Sequence, residues 1–451
     1  MTDKNSRYEI LFRKQSVWKA IFSMAVPALL TIVIMIFYNM ADMFFIAQLG
    51  DTTKVASVSI ISPVFSIIMA LATMIGVGGS AIIAGAFGAG DTEKAKNISS
   101  LCFYSAIVLG IAVTLLLFVF HMPLLKILGT KPEMWEDSRT YLLILSCGTV
   151  FMLISSSMGM LLRAEGAVKE GMYGNLAGTV TNIVLDPLFI LVFGWGVAGA
   201  AAATVIGNIV SASYYMFFVK RKAAVLSLDP GRALVMPWEI FPIMALGLPN
   251  AASTVLSGFA STFSNNLLSL HGTNAIAAAA AAGRASMLIS MVQMGICMGV
   301  QPLLAYSYGA RNLPRLKETL QKTALLTGCI GVGTMLLCFT FRQPIISLFL
   351  KEAEVAAMGQ HYMLYVMAGA PFLGLVYIST NFLQATKKAA SAIIVSLLRQ
   401  GLLLIPLLFL MHALWGFYGL AAAHMAADIA AALTAVIIFL RQYKKTEREL
   451  T

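Results

Sequence analysis

The chain alternates long apolar runs with short polar punctuation. Runs at 106–120, 183–193 and 402–410 contain no Lys, Arg or Glu, and Asp186 is the one carboxylate in them. Stretches of roughly 20 or more residues of this kind cross a bilayer as helices. About twelve are predicted, near 18–47, 53–87, 97–120, 138–163, 171–193, 197–219, 239–270, 275–308, 318–341, 359–384, 390–412 and 416–440. The first run is long and lacks a small-residue cleavage site, so it reads as the first span and not as a signal peptide.

The pattern is also written twice. Phe87-Gly88-Ala89-Gly90 returns as Tyr308-Gly309-Ala310-Arg311, Leu49-Gly50 as His271-Gly272, and Pro27 as Pro249. Gly196 and Gly199, followed by alanines, return as Gly416 and Gly419. Offsets of 220 to 222 at four places mean duplicated halves. In a membrane chain, duplicated halves point to a transporter, because two similar bundles can rock about a site between them.

Composition removes any doubt about the bilayer. The chain is 59% apolar and 11% charged, with a mean hydropathy of +0.84, whereas soluble domains carry about 25% charged residues. With the N-terminus inside, 24 of the 31 Lys and Arg fall in the seven inner segments, so both termini are expected in the cytoplasm. The net charge of +11 reflects this loop bias and gives no reason to expect nucleic acid. Five scattered cysteines suggest neither a disulfide framework nor a metal site.

The organisation expected is therefore all-α and polytopic: twelve transmembrane helices in two pseudo-symmetric six-helix lobes. The N-terminal lobe covers 1–219 and the C-terminal lobe 239–451, joined by a polar cytoplasmic linker at 220–238 containing Asp229-Pro230-Gly231 and Pro237. Several segments carry a family resemblance: Tyr38-Asn39-Met40-Ala41-Asp42 with Gln48-Leu49-Gly50, then Phe87-Gly88-Ala89-Gly90, Arg163-Ala164-Glu165-Gly166, and Asn182 through Asp186-Pro187. Together they resemble the multidrug and toxic compound extrusion (MATE) family over essentially the whole chain, nearest its DinF-like and MepA-like bacterial branch. The resemblance implies the two-lobed fold in a bacterial inner membrane and cation-coupled export of amphipathic, often cationic drugs by a monomer.

Carboxylates inside the predicted spans are few: Asp42, Asp186 and Asp428. Each costs a few kcal/mol to place there and demands a partner or a proton. Asn39 and Asp42 share a face of the first helix, and Asn182 and Asp186 a face of the fifth. Counted from the outer ends at about 1.5 Å per residue, Asp42, Asp186, Thr204 and Tyr141 fall in one slab of the outer leaflet. Pro187 cannot donate to the carbonyl of Ile183, so a bend is expected there. Two carboxylates, an amide, a hydroxyl and a freed carbonyl suit Na⁺, and the same oxygens suit protons. Two carboxylates are poor glue, which weighs against a purely structural role. The resemblance implies that Asp42, Asn182, Asp186 and Thr204 form the cation site of the first lobe, with Tyr141 near it.

The second half departs from this chemistry. Asp42 maps onto Ser264, and Asp186 onto the apolar run 404–408. Thr204 and Asn208 map onto His424 and Asp428, which share a helix face as either a proton-sensitive pair or a structural one held by Arg399. Met287, Met291, Met294 and Met298 recur at helical spacing, one turn after Arg284. Flexible thioethers suit a cavity that re-packs around varied apolar cargo, and equally suit ordinary packing.

The reading is a secondary-active multidrug exporter working by H⁺ or Na⁺ antiport through alternating access, with small amphipathic substrates and no other cofactor. A lipid-linked precursor flippase would need more cavity cations than Arg284 alone. A polytopic enzyme would need a nucleophile or metal motif, and neither His-Glu-x-x-His nor Gly-x-Ser-x-Gly occurs.

Overall fold

A computed structural model describes residues 10–48 and 51–451; the side chains of Asn39, Met43, Ala47, Thr52, Ala285, Leu288 and Ile289 lie outside the described set. Every described regular element is helical. In the first half these are α1 Val17–Ala47, α2 Ser62–Gly88, α3 Thr92–Ile127, α4 Trp135–Glu165, α5 Val168–Pro187 and α6 Gly196–Lys222. The second half holds α7 Ile240–Ser269, α8 Thr273–Gly309, α9 Leu313–Thr340, α10 Ala353–Ala368, α11 Ala370–Ala385, α12 Ala389–Leu397 and α13 Leu404–Leu450. Short helices such as Thr52–Ser59 and Pro230–Ala233 lie between them.

Among the described residues, ten helical stretches are long and apolar enough to cross a membrane. One of them, Ala389–Leu450, runs for 62 residues but breaks at Gly416, whose φ of 57° and ψ of −132° are non-helical. It thus contains the two spans predicted at 390–412 and 416–440. The 37-residue α8 covers the span predicted at 275–308.

The duplication extends to backbone conformation. α2 ends with Gly90 at φ 80°, where its N–H bonds to the carbonyl of Phe87 and that of Asp91 to Ala86. At an offset of 221, Arg311 takes φ 53°, bonding to Tyr308, and Asn312 bonds to Ser307. The next helices open alike: Asp91 Oδ1 caps the N–H of Lys94 at 2.9 Å, and Asn312 Oδ1 that of Arg315 at 3.0 Å. α4 closes through Gly166 at φ 89°, and its counterpart α11 through Lys387 at φ 61°. Gly196 and Gly416 share φ values of 55° and 57°. The left-handed C-terminal turn has therefore been retained even where glycine has been replaced.

The chain packs as two compact units, Met1–Lys14 with Val26–Gly247 and Gln15–Ala25 with Leu248–Thr451. The divisions fall one residue before Pro27 in α1 and Pro249 in α7, residues related by the repeat. In the first unit α4 is central, packed on α2, α3 and α6, with α5 against α6. Met152, Leu153, Leu161 and Leu162 of α4 are fully buried. The first unit also takes in the start of α7, where Gly78 passes so close to Ile243 that an added Cβ would meet its carbonyl oxygen. In the second unit α8 packs on α10 and α11, and α11 on α9 and α13. Exposed Val108, Leu115 and Val119 give α3 an apolar outer face suited to lipid.

Candidate functional site

The first unit builds its polar site on the close approach of α5 and α6. Gly178 and Gly207 face each other, and a Cβ on Gly178 would clash with the Gly207 carbonyl. Small residues let the two backbones approach in this way. Hydroxyls from α6 then reach carbonyls of α5: Tyr215 Oη donates to Gly171 O at 2.7 Å and Ser211 Oγ to Gly174 O at 2.9 Å. Continuing along the same seam, Asn182 meets Thr204. With the amide oriented so that both ends are satisfied, Asn182 Oδ1 accepts from Thr204 N–H and Nδ2 donates to Asp186 Oδ2, each at 3.1 Å.

α1 supplies the other wall. Tyr38 Oη lies 3.3 Å from Thr204 Oγ1. One turn further on, Asp42 is close enough for its carboxylate to interact electrostatically with that of Asp186. Tyr141, buried on α4, sits within the field of both carboxylates and of Tyr38. Asp186 is fully buried, Asn182 and Thr204 nearly so. Oδ1 of Asp42 is buried with no hydrogen-bond partner among the described residues. A buried carboxylate oxygen without a donor is a place for a proton or a cation. As Na⁺ ligands the site offers the Asp42 carboxylate, Asp186, Thr204 Oγ1 and the second lone pair of Asn182 Oδ1. The Asn182 amide is engaged at both ends and acts as a strut between α5 and α6. Among the described residues, no cluster of three or more His, Cys, Asp or Glu side chains is set to hold a metal.

Below this cluster lies a cavity of about 180 Å³, lined by Tyr38, Asn182, Thr204, Asn208, Ser155 and Asn175 among others. Ser155 Oγ donates to Asn208 Oδ1 at 2.7 Å, and Asn208 Nδ2 to Thr204 O at 2.9 Å. Pro187 closes α5, and the chain continues as a π-helical turn, Leu188–Val192, in which Phe193 N–H reaches Leu188 O at 2.8 Å. The widened turn accommodates the missing proline donor without ending the span.

Asp42, Asn182, Asp186, Thr204 and Tyr141 thus come together, while the side chain of Asn39 lies outside the described residues. Tyr38 and Asn208 join them, although the sequence marks Tyr38 only within a family motif and Asn208 only as the counterpart of Asp428; Tyr38 lies one helical turn before Asp42, which is the signal that assigns it to the site. In the second unit, Asp428 is held by Arg399, with Nε to Oδ1 at 2.7 Å, and His424 lies within the field of both. Met287 is 55% exposed and lines a cavity there. Met291, Met294 and Met298 are half-buried along α8 and outside that lining, and Arg284 is exposed. All five cysteines are free.

Glu165 is a further anchor. It is fully buried at the end of α4, and its carboxylate accepts from the N–H groups of Ala224, Val225 and Leu226 at 3.0–3.1 Å. This fixes the polar stretch after α6 onto the first unit.

Fold and site define a polytopic helical membrane protein of duplicated halves, with an acidic cluster buried in the first. The MatE family model matches residues 27–188 and 243–410, and the chain belongs to that family. Multidrug export protein MepA of Staphylococcus aureus (strain N315) is 31% identical over 427 residues, covering 95% of this chain and 94% of the relative. The protein of that name from Staphylococcus saprophyticus is 28% identical over the same length. A crystal structure of MATE in complex with MaL6 superposes with a TM-score of 0.91 at 22% identity, covering 98% of this chain and 99% of the other. The outward-facing conformation of a multidrug resistance MATE family transporter of the MOP superfamily gives 0.90 at 22% identity, covering 97% and 98%.

Proposed function

We propose that this protein is a multidrug efflux transporter of the MatE family, exporting small amphipathic compounds in exchange for H⁺ or Na⁺, and not an enzyme. The family match and the multidrug export proteins that align over nearly the whole chain support the export reading. One observation supports the coupling: Asp42 and Asp186, from two helices, interact inside the first unit, and an oxygen of Asp42 is buried without a donor. A monovalent cation arriving there neutralises charge that the protein leaves uncompensated. Its binding also bears on Asn182 and Thr204, which tie α5 to α6 through the strut described above. Cation occupancy and helix packing are thereby coupled, as antiport by alternating access requires. The protein works as a monomer in the bacterial inner membrane with both termini in the cytoplasm, the side on which its Lys and Arg concentrate.

The test is ethidium efflux from proteoliposomes under an imposed Na⁺ or H⁺ gradient, for the wild type and Asp186→Asn. The wild type should respond to one of the two gradients and the variant to neither. Equal efflux by both proteins would remove the coupling assignment. No efflux by the wild type would favour a flippase or an enzyme.

A further inference from the structure

The second unit contains a cavity of about 380 Å³, within the range of small-molecule sites. The repeat places it where the cation site lies in the first unit: Ser264, His424 and Asp428 line it, at the positions matching Asp42, Thr204 and Asn208. Its chemistry is different. In place of two carboxylates it holds the ion pair of Arg399 and Asp428, whose side chains are 17% and 12% exposed.

Arg399 lies in a π-helical segment, Leu398–Leu403, that joins α12 to α13; such segments re-aim side chains and are frequent at functional sites. A guanidinium has five N–H donors. Asp428 takes the Nε–H, and Tyr377 stands beside the guanidinium, its ring centroid 5.7 Å from Cζ and its hydroxyl oxygen able to accept from it. Among the described residues, at least two of the five donors are therefore left without an acceptor. Opposite them α7 presents Ser257, Ser261 and Ser264, spaced four and three residues apart and so on one face. Thr254 and Thr262 of the same helix bond back to carbonyls four residues earlier, but among the described residues none of these three serines has a hydrogen-bond partner.

Spare guanidinium donors facing free hydroxyls, with a carboxylate alongside, suit a ligand that carries an anionic oxygen group together with a positive charge. Resting on the export reading above, we propose that this cavity is a recognition site for zwitterionic amphiphiles, in which Arg399 and the α7 serines bind the carboxylate of the cargo. Planar, bidentate binding of a carboxylate is the chemistry to which arginine is best fitted. The exporter would then take carboxylate-bearing cargo through a site separate from the acidic cluster of the first unit.

Rhodamine B, a carboxylate zwitterion, and its ethyl ester, a cation with the same aromatic body, provide the test. Binding to the purified full-length protein is followed by fluorescence polarisation, and export is followed in proteoliposomes. The double variant Arg399→Leu/Asp428→Leu removes both charges together, so neither is stranded. It should bind rhodamine B about tenfold or more weakly, the loss expected for hydrogen bonds to a charged group, and the ester unchanged. Should the double variant not fold, Ser257→Ala/Ser261→Ala/Ser264→Ala should weaken rhodamine B alone by several-fold. The proposal is overturned if the wild type does not bind rhodamine B, if the variants bind it as the wild type does, or if both dyes are weakened equally. If the wild type exports neither these dyes nor ethidium but binds rhodamine B with this Arg399 dependence, the export reading fails and the site stands.

Discussion

Spacing and depth were enough to bring Asp42, Asn182, Asp186 and Thr204 together on paper, because a carboxylate in an apolar helix is conspicuous and its face follows from the helical period. Tyr38 was not legible in the same way. A tyrosine in an apolar span looks like packing, and only the fold shows its hydroxyl 3.3 Å from Thr204. The two residues should therefore behave differently. Tyr38→Phe removes one neutral hydrogen bond, and gradient-driven ethidium efflux should fall by about two- to tenfold, whereas Asp186→Asn should abolish the response to the gradient. Initial rates at matched protein density in liposomes would separate the two. Backbone conformation offers a second residue-scale prediction. Arg311 occupies a left-handed position that its counterpart Gly90 fills without steric cost. Arg311→Gly should raise stability by about 1 kcal/mol, read as a higher midpoint in thermal unfolding of the detergent-solubilised protein. The repeat aligns this turn with its counterpart in the sequence, but an arginine gives no sign of the left-handed conformation it holds there.

Most of the helices follow from hydropathy alone, because lipid demands that each crossing segment satisfy its own backbone. How closely they pack is less visible. The site depends on α5 and α6 touching at Gly178 and Gly207, and nothing in composition distinguishes these glycines from Gly258, which has nothing within 4 Å of where a Cβ would stand. Gly178→Val should accordingly give a poorly folded, polydisperse protein by size-exclusion chromatography, while Gly258→Ala should elute and melt like the wild type or slightly above it. Glu165 is a similar case. Its sequence neighbourhood marked the family, but its work was hidden until three backbone N–H groups were seen converging on it. Glu165→Ala leaves those donors unpaired, and hydrogen exchange at Val225 and Leu226 should accelerate markedly. Unchanged protection there would show that the anchor is dispensable.

Across the whole molecule, the duplication was the clearest thing the letters showed, since glycines and a proline recur at nearly one offset. The differences between the halves were legible only as substitutions, Asp42 to Ser264 and Thr204 to His424; their meaning came from seeing Ser264 and His424 line a cavity of the second unit, as Thr204 does in the first. The Arg399–Asp428 pair could be named from sequence only as one alternative for Asp428, because a 29-residue separation carries no geometric information.

The way the two units divide the chain has a practical corollary. Residues 15–25 belong with the second unit and the segment up to Gly247 with the first. A gene cut in the polar stretch at 220–238 would hand each fragment a strip of polypeptide whose proper neighbours are encoded on the other, and leave each without one it needs. Neither fragment should mature when made by itself, while joint production of both should restore a working exporter, as interlocking parts do when supplied as a pair.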